Sequence, residues 1–134
     1  MKNTLLVLAT LFGIFLVFYF SWLPNPDIGY KSYFPEWLGQ WTNANANLRT
    51  AVPFLFLGTI AEIWFYDGRN VLKKRTLIFL AASLVVTAAE VGQLFLPKRT
   101  FDLRDIGWGI AGTVAGILIG SAFRFIYQRY NRES

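Results

Sequence analysis

Residues 89–120 read AEVGQLFLPKRTFDLRDIGWGIAGTVAGILIG, from Ala89 to Gly120. This stretch ends one long apolar segment, turns a short charge-dense corner and opens another. Glu90 and Gln93 come first, and Pro97 stops the segment. Lys98, Arg99, Asp102, Arg104 and Asp105 then follow within eight residues. Ionisable groups set against apolar spans are costly, so such a corner is a candidate site. Beyond it, Gly112, Gly116 and Gly120 recur every four residues, with Gly109 just before them. On a helix these glycines form a smooth face that lets a second backbone approach closely. The approaching helix can belong to the same chain or to another subunit.

The chain around this corner has 134 residues, 54% of them hydrophobic and only 16% charged. Its mean hydropathy is +0.40. A soluble domain this small has too little interior to hide that apolar surface, and a bilayer removes the problem. Four segments are long enough to cross about 30 Å of hydrocarbon. They lie at about 4–24, 50–66, 76–96 and 105–126, which predicts an all-α membrane protein with four transmembrane helices in one bundle. No linker or repeat divides the chain, so a single domain covers 1–134.

The first segment is read as a retained span and not as a signal peptide. Its apolar run ends in an aromatic belt, Tyr19 to Leu23, closed by Pro24, with no small-x-small cleavage site. The polar stretch 27–49 reads as a loop. Within it, Pro35 to Trp41 forms either a short interfacial helix or an irregular segment anchored by Trp37 and Trp41. Asp67–Gly68 marks a turn. Glu62 is expected to snorkel toward Lys73–Arg75.

The chain contains neither cysteine nor histidine. That removes disulfides, thiolate and imidazole metal ligation, and imidazole catalysis, and no cofactor or metal is expected. The net charge of +5 is spread along the edges of apolar spans, so it points to membrane lipids and away from nucleic acid. With the N-terminus cytoplasmic, Lys2, Arg69, Lys73, Lys74, Arg75, Arg124, Arg129 and Arg132 lie inside. Lys31, Arg49, Lys98, Arg99 and Arg104 lie outside. The bias predicts both termini in the cytoplasm and the charged corner on the other face.

Within the corner, Glu90 sits about 9 Å below the end of its helix by the rise per residue. Gln93 lies one turn further out on the same face. Arg99, or Arg49 at the mouth of the second span, is within reach of Glu90. Two readings stand side by side: a polar ligand site, or a buried Glu–Arg clamp that sets helix register. Asp102 reads as an N-cap with Asp105 at the third helical position, the latter turned toward the site. Lys98 and Arg104 read as a solvated rim.

Glu90-x-x-Gln93, Pro97-Lys98-Arg99, Asp102, Asp105-Ile106 and Gly112-x-x-x-Gly116 together resemble the C-terminal signature of the VanZ-like family of small bacterial membrane proteins. A weaker similarity covers Asn47 to Arg49 and Pro53 to Gly58. Two features depart from the family pattern. The usual Asn four residues after the Asp is Gly109, and the histidine many members carry before the second span is absent. The resemblance implies a multi-pass protein of the bacterial cytoplasmic membrane, active in the cell envelope. The family is named for a member that lowers sensitivity to a glycopeptide antibiotic.

Three functional expectations follow. The first is an outward-facing polar site of Glu90, Gln93, Arg99, Asp105 and Arg49 that binds an anionic lipid headgroup or cell-wall precursor. The second is an accessory subunit, or a homo-oligomer, that docks on a membrane partner through its glycine face. The third, ranked last, is an intramembrane hydrolase or transferase with Glu90 and Asp105 as acid and base.

Overall fold

The computed structural model describes residues 1–23 and 31–134. These described residues form five helices: α1 (Lys2–Ser21), α2 (Glu36–Ala44), α3 (Ala46–Phe65), α4 (Val71–Gln93) and α5 (Leu103–Glu133). All but α2 are long and apolar enough to cross a membrane, and they pack together. The chain is thus an all-α, multi-pass membrane protein. Pro24 and Asp27, read above as the end of the first span and the start of the loop, lie outside the described residues.

The bundle is built on α3 and α5, with α4 second against α5 and α1 leaning on α3 and α4. Glycine makes the central pair possible. A Cβ on Gly112 would strike the Ala51 carbonyl, and one on Gly116 the Leu55 carbonyl. From the other side, a Cβ on Gly58 would come within 2.6 Å of the Thr113 carbonyl. Thr59 Oγ1 spans the seam, donating to the Leu55 carbonyl at 2.8 Å and to the Gly116 carbonyl at 3.1 Å. The glycine ladder therefore receives a helix of its own chain. Above it, Gly109 accommodates Val86 and Phe54, which with Val17 and Ala89 form the small apolar core.

Several boundaries differ from those expected. The short segment at Pro35 is a helix, and it runs on to Ala44. Only Asn45 separates it from α3, whose first turn accepts Arg49 N–H on the Asn45 carbonyl at 2.9 Å. Arg49 is consequently helical, not part of a loop. The 31-residue α5 runs through the supposed basic tail. At about 46 Å it overshoots a hydrocarbon layer of about 30 Å. Nothing in 123–133 breaks it: no Gly or Pro occurs there, and Arg129 and Glu133 pair one turn apart.

The turn between α3 and α4 follows the Asp67–Gly68 signal. Gly68 takes φ 77° and Asn70 φ 48°, left-handed conformations that these residue types tolerate. Asp67 accepts from Arg69 N–H at 2.8 Å and pairs with Lys74. The Lys74 ammonium beside it holds the exposed carboxyl below its ordinary range.

Asp102 caps α5 as expected, its Oδ1 accepting from Arg104 N–H at 2.9 Å, which leaves Asp105 at the third helical position. Replacing Asp102 with Ala should cost about 1 kcal/mol of stability, and Asn or Ser at 102 should restore most of it. Thermal unfolding of the three variants in detergent checks this. Equal stability of the Ala and Asn variants would remove the cap from the account.

Candidate functional site: an amphipathic cavity beneath α2

The end of the bundle that carries the α4–α5 corner also carries the last turn of α1, all of α2 and the first turn of α3. Between them lies a cavity of about 420 Å³. Arg49, Glu90, Gln93, Arg99 and Asp105, singled out from sequence, all line it, and Thr50 and Thr42 join them. The structure brings together five residues drawn from three helices and a loop.

Each is placed by its element. Glu90 is 3% exposed, on the inner face of α4. Its Oε2 accepts the Asp102 N–H at 3.1 Å, so the carboxylate ties the end of α4 to the cap of α5. Asp105 stands across from it, within hydrogen-bonding reach of Glu90, and Thr50 Oγ1 donates to Asp105 Oδ1 at 3.4 Å. Arg49 acts electrostatically on Asp105 from the first turn of α3. Two carboxyls and a guanidinium thus share the polar wall. No group of three or more metal-ligating side chains converges among the described residues.

Arg99 lines the cavity and also makes main-chain contacts that the spacing does not predict. Among the described residues it forms no ion pair with Glu90. Instead its Nε donates to the Leu23 carbonyl at 2.8 Å and its terminal nitrogen to the Phe20 carbonyl at 2.9 Å. Gln93 Nε2 donates to the Ser21 carbonyl at 3.1 Å, and Trp22 Nε1 returns a bond to the Ala89 carbonyl at 3.1 Å. The last carbonyls of a helix have no intrahelical donors, and a cation there also complements the helix dipole. Arg99 and Gln93 therefore fasten the end of α1 while their stems wall the cavity. Gly92 is the counterpart contact, since a Cβ there would run into the Trp22 ring.

The rest of the lining is apolar. Phe12, Gly13, Leu16 and Val17 of α1 face Pro53, Leu57 and Ile60 of α3. Pro53 has no N–H and removes one rung of the α3 ladder at this level. From α2, Leu38 and Trp41 also line the cavity, although Trp41 remains 37% exposed and Trp37 more so. Phe34 stacks on Phe20 at 5.7 Å between centroids and closes the side.

The Glu–Arg clamp contemplated for Glu90 exists elsewhere, at Glu62. That carboxylate, 3% exposed, meets Arg75 at 2.8 Å and Arg124 at 3.0 Å. Ser121 Oγ is within 3.2 Å of Arg75, and the Arg124 guanidinium lies 3.2 Å from the centre of the Tyr66 ring. The expected pull toward Arg75 is present, but Arg124 and the burial were missed. This cluster is at the opposite end of the bundle from the cavity.

Comparison of the chain with protein-family models, with curated proteins and with solved structures finds no match.

Proposed function

We propose that the chain is a VanZ-like protein of the bacterial cytoplasmic membrane, with both termini inside, whose outward-facing cavity binds the anionic headgroup of a lipid or cell-wall precursor. One observation carries this reading: a polar wall of Arg49, Thr50, Glu90, Gln93, Arg99 and Asp105 is continuous with an apolar wall of α1 and α3 in a single cavity. Guanidinium groups suit phosphate or carboxylate. Glu90 and Asp105, beside them, suit the hydroxyls or ammonium group that such headgroups carry. The glycine face packs against α3 of the same chain, so the second reading, an accessory subunit, would dock its partner on another surface.

The test is gentle purification from native membranes followed by mass analysis of the lipids that accompany the protein. Arg49→Ala and Asp105→Asn are preferred to Arg99→Ala, because losing Arg99 also loosens α1. A single enriched anionic species is expected, reduced about tenfold or more in Arg49→Ala, the scale of one charge-assisted hydrogen bond. Arg129→Ala, at the exposed end of α5, should retain it. An unchanged lipid profile in Arg49→Ala would sink the reading. A stoichiometric protein partner in its place would favour an accessory subunit.

A further inference from the structure

Glu62 and Glu90 are buried to the same degree, each 3% exposed, yet they are compensated in opposite ways. Glu62 lies between two guanidinium groups of its own chain, Arg75 at 2.8 Å and Arg124 at 3.0 Å. Where Glu62 has arginine, Glu90 has a second acid, Asp105, within hydrogen-bonding reach. Ion pairs among the described residues fall at Glu62, Asp67, Asp102 and Glu133, and neither Glu90 nor Asp105 joins one. Glu90 receives the Asp102 N–H at 3.1 Å and Asp105 the Thr50 hydroxyl at 3.4 Å, both neutral donors. Arg49 acts on Asp105 from beyond ion-pair distance. Arg99, the other guanidinium on the cavity wall, donates to the Phe20 and Leu23 carbonyls.

A carboxylate taken out of water needs a cation, and a second acid beside it raises the cost. Phe54, Val86 and Ala89, which line the cavity with this pair, bring no side-chain donor. Both acids open on the 420 Å³ cavity, so the missing positive charge can arrive with a ligand. A ligand hydroxyl would fill an acceptor and leave the charge uncompensated. A primary ammonium supplies three N–H donors and the charge together. Arg49 and Thr50 stand on the Asp105 side, so an anionic group of the same ligand has its partner next to the ammonium.

We infer that the headgroup taken by this cavity carries a primary ammonium, seated between Glu90 and Asp105, beside the phosphate or carboxylate that meets Arg49. This rests on the proposed headgroup site and narrows its ligand to amino-bearing anionic headgroups, of which phosphoserine is a simple case. Headgroups whose only donors are hydroxyls, such as phosphoglycerol, bind more weakly.

Binding of lysophosphatidylserine, its N-acetyl derivative and lysophosphatidylglycerol to the full-length protein in detergent, read by native mass spectrometry, tests the inference. All three have the same acyl chain. The serine and glycerol lipids have equal net charge, and the N-acetyl derivative keeps the serine carboxylate but loses the ammonium. Wild type should bind lysophosphatidylserine about tenfold or more tighter than either of the others, the scale of one charge-assisted hydrogen bond. Glu90→Gln and Asp105→Asn, each with the helical circular dichroism of wild type, should reduce that preference to about twofold or less. Arg129→Ala should keep it in full. Equal affinity for the three lipids in wild type, all weakened by Arg49→Ala, would overturn the ammonium assignment and leave the headgroup site standing. A proton shared between the two acids would then serve in place of the ammonium. An undiminished preference in both carboxamide variants would overturn it as well. Competition by soluble O-phosphoserine at the concentration of the lipid would support the ammonium seat and assign it a water-soluble phosphate ester. Failure of every lipid to bind, with Arg49→Ala indistinguishable from wild type, would take down the headgroup site itself.

Discussion

Gly116→Leu should unfold or split the bundle, at a cost of about 3 kcal/mol or more. A Cβ at 116 would overlap the Leu55 carbonyl and sit 2.8 Å from the Thr59 nitrogen. Both obstacles are backbone, so neither can turn aside as a side chain would. Separating the helices there also breaks the 3.1 Å Thr59–Gly116 bond and opens the neighbouring Gly112–Ala51 contact. Ala51 follows Thr50, so the Thr50–Asp105 bond at the cavity should fail with it. Loss of ligand and loss of helicity on mild heating are therefore expected together. Gly107→Ala is the control, because nothing lies within 4 Å of a Cβ there. It should be neutral or gain up to about 1 kcal/mol from helix propensity. Thermal unfolding in detergent separates the two, and a Gly116→Leu protein as stable as wild type would contradict the α3–α5 seam.

Much of this was legible in the sequence because membrane constraints act on local composition. Apolar length located the four spans, and four-residue glycine spacing marked the packing face of α5. Asp102 and Asp105 announced the start of that helix, and Pro97 fell between α4 and α5. The cavity residues were found because ionisable side chains beside apolar spans are conspicuous one by one. What spacing could not supply was partnership. Arg99 donates to main-chain carbonyls of α1, and a backbone acceptor has no signature in sequence. The α2–α3 junction was missed because Asn45 alone makes it, ending one helix and starting the next with no proline or glycine to flag it. Arg124 was read as tail because the positive-inside rule counts charge and ignores what the charge touches. Its place at Glu62 follows only once the ladder is known to lie on α3. The step that sets Gly116 against Thr59 sets Gly120 against Glu62, and one further step brings Arg124 to Glu62 and Tyr66.

That last cluster supplies the other large effect. Glu62→Ala should destabilise the protein by about 3 kcal/mol, the lower part of the range for stripping one partner from a buried ion pair. The lower part applies because the Arg75 side chain remains 35% exposed and keeps some of its water, whereas Arg124 is only 16% exposed. Removing the carboxylate leaves two guanidinium groups side by side at the junction of α3, α4 and α5 with no anion between them. Arg124→Met should cost less, since Glu62 would retain Arg75 at 2.8 Å. The triple replacement of Glu62, Arg75 and Arg124 by Met should recover most of the loss, as apolar packing can replace a buried ionic group without net penalty. Because the cluster lies at the far end of α3 from Arg49, folded Arg124→Met protein should bind the cavity ligand as wild type does. Melting temperatures of the three variants, with lipid retention measured on each, decide the matter. A triple variant as unstable as Glu62→Ala would mean that the charges, and not only their mutual compensation, hold this end of the bundle together.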